Sequence, residues 1–351
     1  MSWRKQPKAI FRMADKIRIG VLGVGHLGRF HTMQLKEIEE AELVGVFDTG
    51  TERAKEIGKE FDVPVFDSAE ALLAKVDAVS IVTPTTWHYE LARQALGSGK
   101  HVFIEKPMTT TLEEADELLA LARKKQLKIQ IGHIERFNPA IMALEPLEIN
   151  PLFIEAHRMA NFNPRGTDVA VVMDLMIHDI DLILSFVKSP VTEVHASGAS
   201  IISPTEDIAN CRLQFANGCV ANVTASRISA KKMRKMRFFE PSAYVSVDFT
   251  EGITEIYHVD TDRFRSADES LAFSLGAIES GTDKKEIRYT RLEKRELNPM
   301  RYELTEFCRA ILNNSTPPVT GEEGRRALDI AGRILESIES NTRLIKKNWN
   351  I

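Results

Sequence analysis

Asp174, His178 and Asp181 stand four and then three residues apart inside an apolar run, VVMDLMIHDIDLILSFV. At helical pitch these spacings hold the three side chains within about 60° of one another on one face. A histidine near neutrality can take a proton from a hydroxyl, and a neighbouring carboxylate can orient the ring and stabilise its cation. Carboxylates are rarely buried without partners, so such a helix reads in two ways: the wall of a polar pocket, or a partly exposed helix with a solvated stripe. Taken alone, the segment does not choose between them.

The elements before it supply a second set of candidates. From Lys16 to about Arg136, short β-rich runs (IRIGVLG, LVGVFD, VPVFD, AVSIVTP, HVFIEKP and KIQIGH) alternate with helical stretches, the pattern of a parallel sheet with crossover helices. Gly23, Gly25 and Gly28 form GVGHLG between the first strand and the first helix, where His26 and Leu27 open the helix. In such a loop the first glycine permits the turn, the second lets backbone approach a pyrophosphate, and the third allows close helix packing. Asp48 ends the second strand twenty residues after Gly28, where a carboxylate can accept from both ribose hydroxyls. It would repel a 2′-phosphate and no arginine follows at once, so NAD is expected over NADP, with Arg53 one helical turn along as the residue that would favour the phosphate. Thr83 and Pro84 end a later strand at the same carboxyl edge and are placed beside the nicotinamide ribose. His88 joins this cofactor-lining set as a local cap rather than a reacting group. Glu105, Lys106 and Pro107 end the next strand there, so that Lys106 can reach a substrate hydroxyl; read alone, it is a surface lysine.

The segment GHIERFNP then joins two expected domains, 16–137 and 138–351, and domain junctions commonly bind ligands. Arg136 and Asn138 are candidates for polar substrate groups, as is Arg165 in NPRGTD. Beyond Pro139 the texture becomes α+β: a strand FIEAHRM, the apolar helix from about Val171 to Val187, then DIANCRLQF, CVANVTASRI, AYVSVDF and ITEIYHV with antiparallel turn signals. Ser266 to Asp283 reads as a long loop, and two amphipathic helices close the chain near Met300–Leu312 and Glu322–Ser340. The basic run Lys231, Lys232, Arg234, Lys235, Arg237 fits a solvated loop or strand edge better than a phosphate site.

Composition narrows the function classes. The 351 residues are 43% hydrophobic and 27% charged with a net charge of −4, so the chain is globular and presents no global basic field for nucleic acid or anionic membrane. The three cysteines, Cys211, Cys219 and Cys308, lack metal-ligand spacing, and no metal site is readable. If Asn217-Gly218 closes a two-residue hairpin, Cys211 lies opposite Thr224 and Cys219 opposite Ala216. Free thiols and a reducing compartment follow. The basic N-terminus lacks the apolar core of a signal peptide and is expected to be an extension, with Met13 an alternative start, and the protein is expected in the cytoplasm.

GVGHLG, Asp48, Glu105-Lys106-Pro107 and Asp174-x3-His178-x2-Asp181, in this order and spacing, resemble the glucose-fructose oxidoreductase and inositol dehydrogenase (Gfo/Idh/MocA) family from Lys16 onward. The resemblance implies a Rossmann domain followed by an α+β domain with a large, mostly antiparallel open sheet, a common homo-oligomer interface giving dimers or tetramers. It implies Lys106, Asp174 and His178 as the catalytic group and a less defined role for Asp181. GHIERFNPA and NPRGTD look most like the branch of UDP-N-acetylglucosamine 3-dehydrogenases, so a sugar or sugar nucleotide is the implied substrate.

Overall fold

The computed structural model describes residues 16–163, 169–259, 272–280, 283–293 and 297–349. The N-terminal extension with Met13, and Arg165, lie outside the described residues. Two compact units emerge: residues up to Ile134 with Asn298–Leu328, and Glu135–Leu297 with the segment from Asp329 onward.

In the first unit, β1 (Ile17–Leu22), β2 (Ala41–Phe47), β3 (Ala78–Ile81), β4 (His101–Glu105) and β5 (Ile129–Gly132) form a parallel sheet in the order β2-β1-β3-β4-β5. Its central strands are almost wholly buried, the mark of a sheet covered on both faces. The helices between them are α1 (His26–Glu37), α2 (Thr51–Phe61), α3 (Ala69–Leu73), α4 (His88–Gly97) and α5 (Leu112–Lys125). α5 starts at a reciprocal cap between Thr111 and Glu114. Because the chain leaves β1 to one side for β2 and returns to the other for β3, the order reverses at β1, and the carboxyl ends of β1 and β3 open a crevice there.

VPVFD does not form a sixth full strand. Val65 makes a single bridge to Val46, with bonds from Phe66 N–H to the Val46 carbonyl (2.9 Å) and from Val46 N–H to the Pro64 carbonyl (2.9 Å). Pro64 has no N–H with which to extend the ladder.

A single division after residue 137 does not describe the contacts either. α8 (Pro299–Leu312) buries Leu304, Phe307 and Cys308 in the same core as Ile19, Val21 and Phe103 of the first sheet, and residues 298–328 therefore belong with it. Each such side chain contributes about 1.5–3 kcal/mol by leaving water, enough to settle where a short helix docks.

The second unit holds a nine-stranded sheet in the order β13-β14-β12-β11-β10-β6-β9-β8-β7. The strands are β6 (Phe153–Met159), β7 (Val191–Ala199), β8 (Ile208–Phe215), β9 (Val220–Ser226), β10 (Met233–Phe239), β11 (Ala243–Asp248), β12 (Ile253–Val259), β13 (Ala272–Ser280) and β14 (Asp283–Glu293). All pairings are antiparallel except β6 with β9. The inner face buries Ile154 and Ala156, Cys211 and Leu213, Val223, Met236 and Phe238, Val245 and Val247. The associated helices are α6 (Pro139–Met142), α7 (Ile177–Phe186) with a π-helical turn Val172–Met176 before it, and the later part of α9 (Gly321–Trp349). Phe186 of α7 meets Phe238 edge-on at 4.8 Å.

Three expectations for this unit change. Lys231 and Lys232 are exposed outside any strand, as expected, but the rest of the basic run lies on an interior strand, β10, where Lys235 meets Asp248 (3.1 Å) and Arg237 meets Glu155 (3.4 Å). Residues 272–280 are strand β13 rather than loop, paired along β14. The Asn217-Gly218 turn closes a three-residue loop, with Phe215 N–H bonded to the Cys219 carbonyl (2.9 Å) and Gly218 at φ +86°, so Cys211 pairs with Val223. The one-residue slip still leaves the two thiols apart.

Cys211, Cys219 and Cys308 are free and buried, and burial pushes their thiols up to about 12, about 11 and about 12. A thiol-specific chromogenic reagent is expected to label none of the three in the native protein and all three in denaturant; fast labelling of the native chain would refute the closed packing around that thiol.

Candidate active site

The glycine loop separates what the fold needs from what a ligand needs. Gly23 has φ +88°, and a Cβ there would lie 2.8 Å from Thr83 Cγ2; a Cβ on Gly28 would lie 2.0 Å from the Gly23 carbonyl oxygen. Packing alone demands both. A Cβ on Gly25 would meet nothing within 4 Å, so nothing in the protein requires glycine there. Gly25 is also the N-cap of α1, where no side chain caps the first turn and no acidic residue occupies it. Gly25, His26 and Leu27 are exposed, and their amide edge suits an anion.

Asp48 Oδ2 accepts from Val24 N–H (2.7 Å) and Oδ1 from Gly50 N–H (2.8 Å), tying the end of β2 to the glycine loop. A carboxylate has about four lone-pair sites, so ribose hydroxyls can still be received. Arg53 turns back, donating from Nε to the Val24 carbonyl (3.0 Å) and from Nη1 to Glu56 (2.7 Å). The hydroxyl of Thr83 is buried with no hydrogen-bond partner among the described residues. Gly23, Asp48, Thr83 and Pro84 line a cleft of about 320 Å³. An orphaned hydroxyl, a bare glycine and an uncapped helix along one cleft fit a dinucleotide.

At the end of β4, Lys106 is partly exposed while its neighbours are locked. Glu105, expected at the cofactor, turns one carboxylate oxygen onto the buried His31 Nε2 (3.1 Å), and His31 Nδ1 meets Ser80 Oγ (2.9 Å). A carboxylate only accepts, so Nε2 is the donor in its bond to Glu105. The other oxygen accepts from Lys106 N–H (3.3 Å), and a Cβ at Gly132 would fall 2.7 Å from the carboxylate. His88, also expected among the cofactor contacts, is buried with Nδ1 at 2.9 Å from the Pro107 carbonyl and Nε2 at 2.9 Å from the Thr83 carbonyl. Burial pushes its pKa down against the pull of those carbonyls, and the ring braces the segments that follow β3 and β4.

In the second unit, Asp174 lies in the π-helical turn and His178 in the first turn of α7, both partly exposed. Single π-turns inside helices recur at functional sites. Asp181 is buried and forked by Arg136, from Nε to Oδ2 (2.6 Å) and from Nη2 to Oδ1 (2.5 Å). Asp179 is forked by Arg158 at 2.8 Å and 2.8 Å, and Arg158 also donates to Glu135 (3.0 Å). Arg234 completes the group by pairing with Glu135.

Residues 17–133 match the oxidoreductase family with an NAD-binding Rossmann fold, and residues 152–253 match the GFO/IDH/MocA C-terminal domain. UDP-N-acetylglucosamine 3-dehydrogenase of Acidithiobacillus ferrooxidans is 39% identical over 92% of this chain and 98% of its own length. A solved structure of UDP-N-acetylglucosamine 3-dehydrogenase from that organism matches with a TM-score of 0.82 at 38% identity, covering 93% of this chain and 98% of the other. Myo-inositol 2-dehydrogenase of Thermotoga maritima is 25% identical over 92% of this chain and 96% of its own length. The chain belongs to the Gfo/Idh/MocA oxidoreductase family.

As a Gfo/Idh/MocA member it is a nicotinamide-dependent dehydrogenase, and its residues sort into two classes. Gly23, Gly25, Asp48, Thr83 and Pro84 come together at the cleft, and Gly28 packs against Gly23 behind them. Arg136 and Asn138 do not serve as open substrate contacts: Arg136 is committed to Asp181, while Asn138 caps α6 through Ala140 N–H (3.1 Å) and donates to Glu135 (3.2 Å) and the Phe249 carbonyl (3.1 Å). Sequence reasoning missed Glu135, Arg158 and Asp179. Asp179 beside His178 and the inward alternation of FIEAHRM at Arg158 were visible, but their pairing across 21 residues was not.

Two outcomes are expected by thermal unfolding and dinucleotide titration. Gly28→Ala lowers the unfolding midpoint, whereas Gly25→Ala leaves it in place and weakens dinucleotide binding; equal destabilisation by both would remove the distinction. Arg158→Met takes the fork from the buried Asp179, leaving Glu135 with Arg234 and Asn138, and costs about 3–5 kcal/mol of stability. A denaturation midpoint equal to that of the parent chain would show the buried group carries no such weight.

Proposed function

We propose that this dehydrogenase oxidises a secondary hydroxyl of a sugar nucleotide, UDP-N-acetylglucosamine at C3, with NAD as hydride acceptor. The observation that carries this reading is the 39% identity, over 98% of its length, with the A. ferrooxidans UDP-N-acetylglucosamine 3-dehydrogenase. Gly25 and the amides of α1 would hold the pyrophosphate, Asp48 the adenosine ribose and Thr83 the nicotinamide side. NAD is preferred over NADP because Asp48 disfavours a 2′-phosphate and Arg53 already donates to Val24 and Glu56.

Nicotinamide, when bound in the cleft, would supply the hydride acceptor. His178 takes the hydroxyl proton as the carbinol C–H bond breaks, and Asp174 orients the imidazole and stabilises its cation. Lys106 stabilises the developing alkoxide or shares its proton. Asp181 acts through the helix, not on the substrate. Arg165 is the remaining arginine proposed for the diphosphate. The outer face of the large sheet supports assembly into a homo-oligomer, a dimer or tetramer. There Phe153, Phe239, Tyr244, Tyr257, Tyr289 and Phe273 stack in succession with centroids 4.9 to 5.6 Å apart. No described helix is long and apolar enough to cross a membrane, and buried free thiols suit the cytoplasm.

One observation favours a second reading, an inositol or free-sugar dehydrogenase: Arg136, one of two arginines expected for a diphosphate, is engaged by Asp181. Incubation with NAD and UDP-N-acetylglucosamine is expected to raise NADH fluorescence; a flat trace beside a rise with myo-inositol decides for the second reading. Absence of turnover with every sugar, cyclitol and sugar nucleotide, with NAD still bound, would make the chain a non-catalytic sensor. In single turnovers His178→Ala is expected to slow hydride transfer by about 100-fold or more, the usual scale of a lost general base. An unchanged rate, with Lys106→Ala inactive, would move the base to the lysine.

A further inference from the structure

Trp87 is 58% exposed, yet it lies in a fixed stretch of backbone. It closes the short 3-10 turn Thr85–Trp87 that follows β3, its N–H bonds to the Pro84 carbonyl (2.9 Å), and the next residue, His88, is braced on both ring nitrogens. Among the described residues no aromatic ring stacks on the indole. A tryptophan is the largest apolar side chain, and leaving 58% of one in water forgoes much of the burial it could supply.

The place of the indole says what it awaits. Trp87 and Leu91, one helical turn further along α4, line the nucleotide cleft together with Phe47, Asp48 and Thr49 at the end of β2. Asp48 belongs to the adenosine half of a dinucleotide in this fold. A purine whose ribose is held at Asp48 therefore lies between the β2 end and the wall made by Trp87 and Leu91. We infer that Trp87 is an adenine-stacking residue that covers one face of the base and sets the affinity of the chain for the adenosine half of its cofactor. The inference rests on the dinucleotide reading of the cleft. It adds a contact that the glycine loop and Asp48 do not provide, because those residues hold phosphate and ribose and leave the base unspecified.

Base–aromatic stacking is lost on truncation to alanine with an effect of roughly tenfold in affinity. The chain has three tryptophans, Trp3, Trp87 and Trp349, so Trp87→Ala leaves a background emission against which its own signal is read. The experiment titrates full-length wild type, Trp87→Ala and Trp87→Phe with NADH, with ADP-ribose and with nicotinamide mononucleotide, following indole fluorescence and, independently, heat of binding. ADP-ribose is expected to quench the wild type and nicotinamide mononucleotide to leave its emission unchanged. Trp87→Ala should lose that quench and bind both NADH and ADP-ribose about tenfold more weakly, with Trp87→Phe recovering most of the loss. Trp87→Ala binding ADP-ribose as tightly as wild type would overturn the assignment while leaving the dinucleotide reading intact. No binding of NADH or ADP-ribose to the wild type would overturn both.

Discussion

Two buried ion pairs fix the rotation of α7 about its own axis, and with it the direction in which the proposed base, His178, is presented. On an α-helix, Asp179 lies about 100° to one side of His178 and Asp181 about 60° to the other. Each of those carboxylates is buried and held by a two-point arginine fork, Asp179 by Arg158 and Asp181 by Arg136. A buried carboxylate without its partner costs several kcal/mol, so turning the helix either way would have to break one fork. Apolar packing alone would not impose this, since leucine and isoleucine tolerate small rotations by repacking. His178 is thus presented at a set angle by neighbours that are themselves committed to buried ion pairs.

The same division of labour runs through the Rossmann unit. Two of its histidines are consumed by structure: His31 holds Glu105 and Ser80, and His88 spans the carbonyls of Thr83 and Pro107. Both sit under the strand ends that carry the candidate contacts, Thr83 and Lys106. Glu105 is likewise turned inward, bonding the backbone N–H of Lys106 so that the residue leaves β4 in a defined direction. Asp48 does two things at once, bonding Val24 and Gly50 while keeping acceptor capacity toward the cleft. If the same carboxylate receives the ribose, as proposed, the loop's shape and the cofactor's position both depend on one side chain.

Much of this was legible from residues alone, for local reasons. The glycine spacing, the strand-terminal Asp48, and the helix around His178 are patterns confined to a few residues, and their physics is local: a turn, a cap, a periodicity. The misreadings share another cause. Arg136 and Asn138 carry the right chemistry for a substrate, but their partners Asp181 and Phe249 come from distant segments. Lys235 and Arg237 looked as solvated as the exposed Lys231 and Lys232 because their neutralising carboxylates, Asp248 and Glu155, lie on other strands. VPVFD carried β-branched residues and an apolar rhythm, and Pro64 was the one local sign against a full strand. Strand β13, with Ser274 and Gly276 among its residues, gained its conformation from pairing with β14 rather than from propensity.

A charged residue near a reactive one is therefore ambiguous until its partner is known, and burial resolves the ambiguity in a definite direction. Asp174 and Asp181 have the same chemistry and both stand within one or two turns of His178, yet Asp181 is 1% exposed and bound in a fork while Asp174 stays partly exposed. An ionised carboxylate already satisfied by a guanidinium has little left to offer an imidazole, and its charge is neutralised where it stands. A carboxylate at the rim of the helix can still respond to a cation that forms beside it during reaction. The segment thus places identical side chains in opposite settings, one buried in a fork that holds the helix and one partly exposed, as the proposed partner of His178 requires.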